Sequence, residues 1–158
     1  MTQDAIKNYT LRISQANRSE IIVIVYELID KYLDETIEAA VAGDADACME
    51  AGRRAMKCIS HLINALDENY ELANPLMSVY SYMSREIGFA SARLDSVRLN
   101  AVKAYAKSLS EAFICVAKAD ASAPVMENSQ TVYAGLTYGK GDLNESLYDE
   151  GARRGFTV

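Results

Sequence analysis

The chain has 158 residues, half of them apolar on a broad count and 24% charged, a globular composition with enough apolar material for one core. Its 16 basic and 22 acidic residues leave a net charge of −6, and no basic run exceeds Arg53-Arg54 or Arg153-Arg154, so the clustered cationic footprint of a nucleic-acid binder is missing. The longest strongly apolar run, Ile21 to Tyr26, is six residues, far short of the ~20 that a bilayer span needs.

Only Gly43, Gly52, Gly88 and Pro75 punctuate residues 1–120, and so few breakers predict long helices. Residues 3–15 form a short leading helix with Ile6, Tyr9 and Ile13 on one face. Asn17-Arg18-Ser19-Glu20 offers a cap for a second helix, about 20–42. Its stripe is Ile22, Val25, Ile29, Leu33, Ile37 and Ala40, widened by Ile21, Ile24, Leu28 and Tyr32, so this helix is expected to be contacted on several sides. Glu27, Asp30, Asp34, Glu35 and Glu38 read as its solvated face.

Gly43-Asp44 stops that helix and caps a third, about 45–68, with Cys48, Gly52, Ala55, Ile59, Leu62 and Leu66 inward. Asn74-Pro75 opens a fourth, where the missing N–H of proline costs nothing, and Leu76, Tyr80, Met83, Ile87 and Leu94 carry its stripe. After Asp95-Ser96 a fifth runs to about residue 120 on Leu99, Val102, Ala106, Leu109, Phe113 and Val116. The fold class predicted is therefore all-α: an antiparallel up-and-down four-helix bundle with a short leading N-terminal helix. Leu33, Ile59, Leu66, Met83, Leu109 and Phe113 are expected in its core. Five of the eight glycines lie between 135 and 155 among scattered tyrosines and leucines, so residues 121–158 read as a separate C-terminal tail.

Chemistry is sparse. Cys48, Cys58 and Cys115 are odd in number and widely spaced, which suits small buried hydrophobes in a reduced, cytoplasmic protein rather than a disulfide framework. The N-terminus lacks the apolar stretch of a secretory signal. His61 is the only histidine, too few for a di-metal bundle site with its two Glu-x-x-His motifs, and no complete zinc ligand set or phosphate loop occurs. Arg54 and His61 have the loose spacing of HEPN-type ribonucleases, a remote alternative that an acidic chain suits poorly. No enzyme activity, metal or cofactor is expected.

Several blocks, in order, resemble one family. Ala5-Ile6-Lys7-Asn8-Tyr9, then Asn17-Arg18-Ser19-Glu20-Ile21-Ile22 and Val25-Tyr26-Glu27-Leu28-Ile29, look like the opening of FliS-type flagellin export chaperones. Leu66-Asp67, followed by Leu72-Ala73-x2-Leu76-x2-Val79-Tyr80-x-Tyr82-Met83, resembles the family's second block, and Leu109-x2-Ala112-Phe113 its closing Leu-x-x-Ala-Trp. There is no Ser-Pro at the second helix start, Pro75 stands where the family has Asn, and Phe113 replaces Trp. The resemblance implies a chaperone domain over residues 1–120 that binds the disordered C-terminal segment of flagellin, prevents premature polymerisation and hands it to the flagellar export machinery. It also implies that the leading helix covers the client site. Ile6, Tyr9, Val25, Tyr26, Tyr80 and Met83 are the candidate client-binding residues. An adaptor or regulatory bundle with a different protein client is the alternative. The tail is expected to dock through Leu136, Tyr138, Leu143, Leu147, Tyr148 and Phe156.

Overall fold

Five helices follow one another in the computed structural model, which describes residues 3–67 and 69–126: α1 (Gln3–Gln15), α2 (Arg18–Ala42), α3 (Ala45–Asn64), α4 (Ala73–Arg93) and α5 (Ser96–Ala119). No strand occurs among the described residues. The expected tail anchors, from Leu136 to Phe156, lie outside them.

Capping chemistry sets most of the boundaries. Asn17 rather than Ser19 begins α2, two residues ahead of the predicted start, because its side chain and that of Glu20 form a reciprocal capping box. Gly43 ends α2 in the left-handed region (φ 75°), a conformation that glycine adopts without a Cβ clash. Asp44 and Asp95 then cap α3 and α5 through the N–H groups of Ala47 and Arg98. Helix α3 stops at Asn64, four residues short of expectation, and α4 starts at Ala73 without a side-chain cap. Pro75 is its third residue, among the N–H groups that have no intrahelical partner anyway.

Helix α2 packs on α3 and α5, α3 on α4, and α4 on α5, so α2 and α4 lie diagonally across the bundle; α1 rests on α2. That arrangement is why α2 is apolar over so much of its circumference. The core joins Ile29 and Leu33 of α2 to Ala55 and Ile59 of α3, Met83 and Ile87 of α4, and Leu99 and Val102 of α5. Leu66, Leu109 and Phe113, expected in the core, are half-buried and pack against it. Two expectations fail near the end of α5. Val116 is 54% exposed and Cys115 is exposed, because the inward stripe continues from Phe113 through Ile114 and Ala117 instead. Cys48 is buried and Cys58 half-buried.

The acidic side of α2 is more than a solvated face. Lys103 of α5 reaches both Asp34 and Asp30, the latter at 3.5 Å, and Glu27 engages α1. Tertiary partners on two other helices recruit these carboxylates, which periodicity within α2 could not reveal.

The α3–α4 contact depends on a missing side chain. A Cβ placed on Gly52 would lie 2.4 Å from Ser91 Oγ and 3.2 Å from Ser91 Cβ. Rotation of the hydroxyl relieves the first contact but not the second. Gly52→Ala is therefore expected to lower stability by about 1–3 kcal/mol through overpacking. Gly88→Ala, whose nearest neighbour would be Met56 Sδ at 3.7 Å, should gain up to about 1 kcal/mol from helix propensity. Urea denaturation midpoints of the two variants are expected to move in opposite directions.

Candidate binding groove

Helix α1 is short, and its hold on the bundle is narrow. Ile6 is 47% exposed, and Tyr9, Leu11 and Ile13 are half-buried. A bidentate ion pair ties the arm to α2: Arg12 Nη1 and Nη2 donate to Glu27 Oε2 and Oε1 at 2.6 and 2.8 Å. The Arg12 guanidinium also lies 5.6 Å from the centre of the Tyr9 ring. A pair this exposed contributes at most about 1 kcal/mol, although its fork geometry fixes a single orientation.

The elbow between α1 and α2 is held far more thoroughly. Asn17 Oδ1 accepts from Glu20 N at 2.8 Å, while Glu20 Oε2 accepts from Asn17 N at 2.9 Å. Asn17 Nδ2 donates to the carbonyl of Asp120 at 3.2 Å, and Ser19 Oγ donates to Asp120 Oδ2 at 2.5 Å. Beyond α5 the chain turns back, and Val125 N donates to the carbonyl of Ala16 at 3.1 Å. Hydrogen bonds from Ser19 and Ser122 hold the Asp120 carboxyl below its ordinary pKa, so it stays an acceptor at neutral pH.

Between the arm, α2 and the end of α5 lies a cavity of about 460 Å³. Arg12, Gln15 and Ala16 form its roof side, Glu20, Val23 and Ile24 its α2 wall, and Ile114, Ala117 and Lys118 its α5 wall. A second depression of about 370 Å³ continues along the α2–α5 seam, lined by Tyr26, Glu27 and Asp30 opposite Lys103, Ala106, Lys107, Ser110, Glu111 and Ile114. Ile114 belongs to both. The result is a long groove with an apolar floor and charged rims, which can take an amphipathic helix but offers no convergent catalytic set. Among the described residues no group of three or more His, Cys, Asp and Glu side chains could hold a metal ion, and no helix is long and apolar enough to cross a membrane.

The six sequence candidates fall at three depths. Ile6 and Tyr9 are on the arm itself. Val25 is half-buried against the core. Tyr26 is 1% exposed, and its surface forms part of the second depression; Tyr80 and Met83 lie fully inside. Sequence reasoning missed Arg12, Glu27, Val23, Ile114 and Ala117. An available signal was Ser110-x3-Ile114-x2-Ala117, a small-and-apolar stripe of helical spacing beside the core stripe of α5.

Beneath the groove the hydroxyls of Tyr26 and Tyr80 meet at 2.7 Å. Burial pushes the pKa of both phenols up, and their mutual hydrogen bond raises Tyr26 further while opposing the rise at Tyr80. Removing one hydroxyl leaves the other buried and unpaired, so Tyr26→Phe or Tyr80→Phe should each cost about 1–3 kcal/mol, and the double variant less than their sum. The pH dependence has a defined sign. The folded tyrosines keep their protons above the ordinary value of 10.0, whereas the unfolded chain releases them there. Their contribution is complete below that value and is lost as pH rises beyond it. Urea midpoints at rising alkaline pH should fall more steeply for wild type than for the double Phe variant.

Comparison with known proteins agrees with this architecture. No significant match is found among curated proteins. The family model described as flagellar protein FliS matches residues 1–120, the span of all five helices, and the chain belongs to the FliS family.

Proposed function

We propose that the protein is a cytosolic export chaperone that binds the C-terminal segment of flagellin, keeps it from polymerising early and passes it to the flagellar export machinery. The observation that carries this reading is the groove with an apolar floor between α2 and α5, bordered at one end by the arm α1. Family membership supports it independently. A disordered amphipathic segment gains its ordering energy by laying an apolar face into such a groove as it folds.

In this reading Ile6 and Tyr9 leave with the arm when client arrives. Val23, Ile24, Ile114, Ala117 and the ring of Tyr26 form the floor, while Val25, Tyr80 and Met83 support it from the core side. Lys103, Lys107 and Lys118 of the α5 wall and Glu20 of the α2 wall orient the client's polar edge. The protein acts by binding, not by catalysis.

Calorimetry with a flagellin C-terminal peptide tests it. Binding should carry a negative heat-capacity change, the marker of apolar burial, and Ala117→Glu, which sets a charge on the floor, should weaken it by about tenfold or more. Glu27→Gln removes the ion pair that holds the arm and should tighten binding by up to about fivefold, the equivalent of at most about 1 kcal/mol. Absence of binding, or equal affinity in Ala117→Glu, would overturn the assignment.

A further inference from the structure

The opposite side of α5 carries a feature that the groove leaves unused. Four aromatic residues rank among the exposed large hydrophobics of the described residues, and three of them, Tyr82, Phe89 and Tyr105, sit on α4 and α5. Tyr82 and Phe89 are seven residues apart and share a face. Tyr105 meets Tyr82 edge to face, with ring centres 6.0 Å apart. Arg85 lies 5.7 Å from the centre of the Tyr82 ring. Aromatic and cation–π contacts thus hold the Tyr82 and Tyr105 rings in set positions, along the most sparsely packed of the four edges of the bundle.

The charges around these rings differ from those of the chain as a whole. Arg85, Arg93 and Arg98 flank them against two acids: Glu86, at 3.0 Å from Arg98 and 3.9 Å from Arg85, and Asp95, at 3.6 Å from Arg98. Three arginines against two carboxylates leave this edge positive on a chain of net charge −6, which favours an anionic partner. A second copy is a poor occupant, because a two-fold contact would bring the arginines of both copies together. An anionic bilayer is disfavoured by the overall charge and by a patch that is a seam between two helices, not one broad apolar face. A rigid aromatic seam with a basic edge fits one amphipathic helix.

We propose that the α4–α5 edge is a second docking surface, taking an amphipathic protein helix whose apolar seam is flanked by carboxylates. It is distinct from the client groove. Helix α5 turns Lys103, Lys107, Ser110 and Ile114 towards α2, and Arg98 and Tyr105 towards α4, so both surfaces can be filled at once.

The test uses the full chain and two fluorescent helical peptides of about 18 residues, or five turns, with leucine at every third and fourth position and either glutamate or lysine beside the seam. Fluorescence anisotropy should show the glutamate peptide binding, with affinity that falls as salt rises. Phe89→Ser and Tyr105→Ser, both at exposed positions and checked for retained helicity by circular dichroism, should weaken it by about tenfold or more. Ala117→Glu, in the client groove, should leave it unchanged. Failure of the glutamate peptide to bind, equal affinity for the lysine peptide, insensitivity to both serine variants, or loss in Ala117→Glu would each overturn the proposal. So would binding to phosphatidylserine vesicles in place of the glutamate peptide. The flagellin-peptide reading stands or falls separately, on the calorimetry of the other groove.

Discussion

The hydroxyl pair of Tyr26 and Tyr80 joins two helices that do not otherwise pack as neighbours. Helices α2 and α4 face each other across the bundle diagonal, and their tyrosines meet at its centre at 2.7 Å. Leucines in a core tolerate a slide of one helix past another, since apolar contacts are not directional. Two buried hydroxyls do not: a shift that separates them leaves both without a partner in a low-dielectric interior. The pair therefore selects one axial register for α2 against α4, and α3 and α5 fill the remaining corners. The groove inherits this register, because the outer surface of Tyr26 is part of its floor.

The arm and its elbow divide rigidity from mobility. The elbow combines a capping box, a bifurcated contact from Asn17 to the carbonyls of Asp120 and Ser122, and the Ser19–Asp120 hydrogen bond. The arm beyond it carries the Arg12–Glu27 ion pair, which is exposed, and a partly exposed apolar face. Thermal opening is thereby biased to the arm, with the pivot kept in place. An arm on a fixed pivot returns to the same position after each excursion. A cover that must yield to a client and then close again needs that property.

Most of the fold was legible in the sequence because its determinants are local. The stripe from Cys48 through Gly52, Ala55 and Ile59 to Leu62 is buried throughout, and Gly43-Asp44 marks its break as expected. The end of α4 was harder to place. Leu94 takes the left-handed conformation (φ 54°) that glycine usually supplies, and it does so while packing its side chain against the core, so tertiary contact overrides local preference. The site was less legible than the fold. Tyrosine on an apolar stripe reads equally well as core or as interface, and only the partner hydroxyl of Tyr80, 54 residues away, decides that Tyr26 belongs mainly to the first. Arg12 and Glu27 are ordinary surface charges until α1 folds back.

Two surfaces on one helix bear on how such a bundle could serve successive partners. The groove has mixed charges along its rim, and the last turn of α1 borders one end of it. The α4–α5 edge has no cover among the described residues, and its Tyr82 and Tyr105 rings are already fixed by contacts within the bundle. Binding there requires little reorganisation, and a cationic rim accelerates encounter with an acidic partner more than it deepens the final affinity. The open edge suits a partner that arrives and departs quickly. The rigid core between them is the reason that the two can act independently. Coupling would need an element with two packed arrangements, and a register fixed by the Tyr26–Tyr80 pair denies α2 and α4 the sliding motion that could provide one.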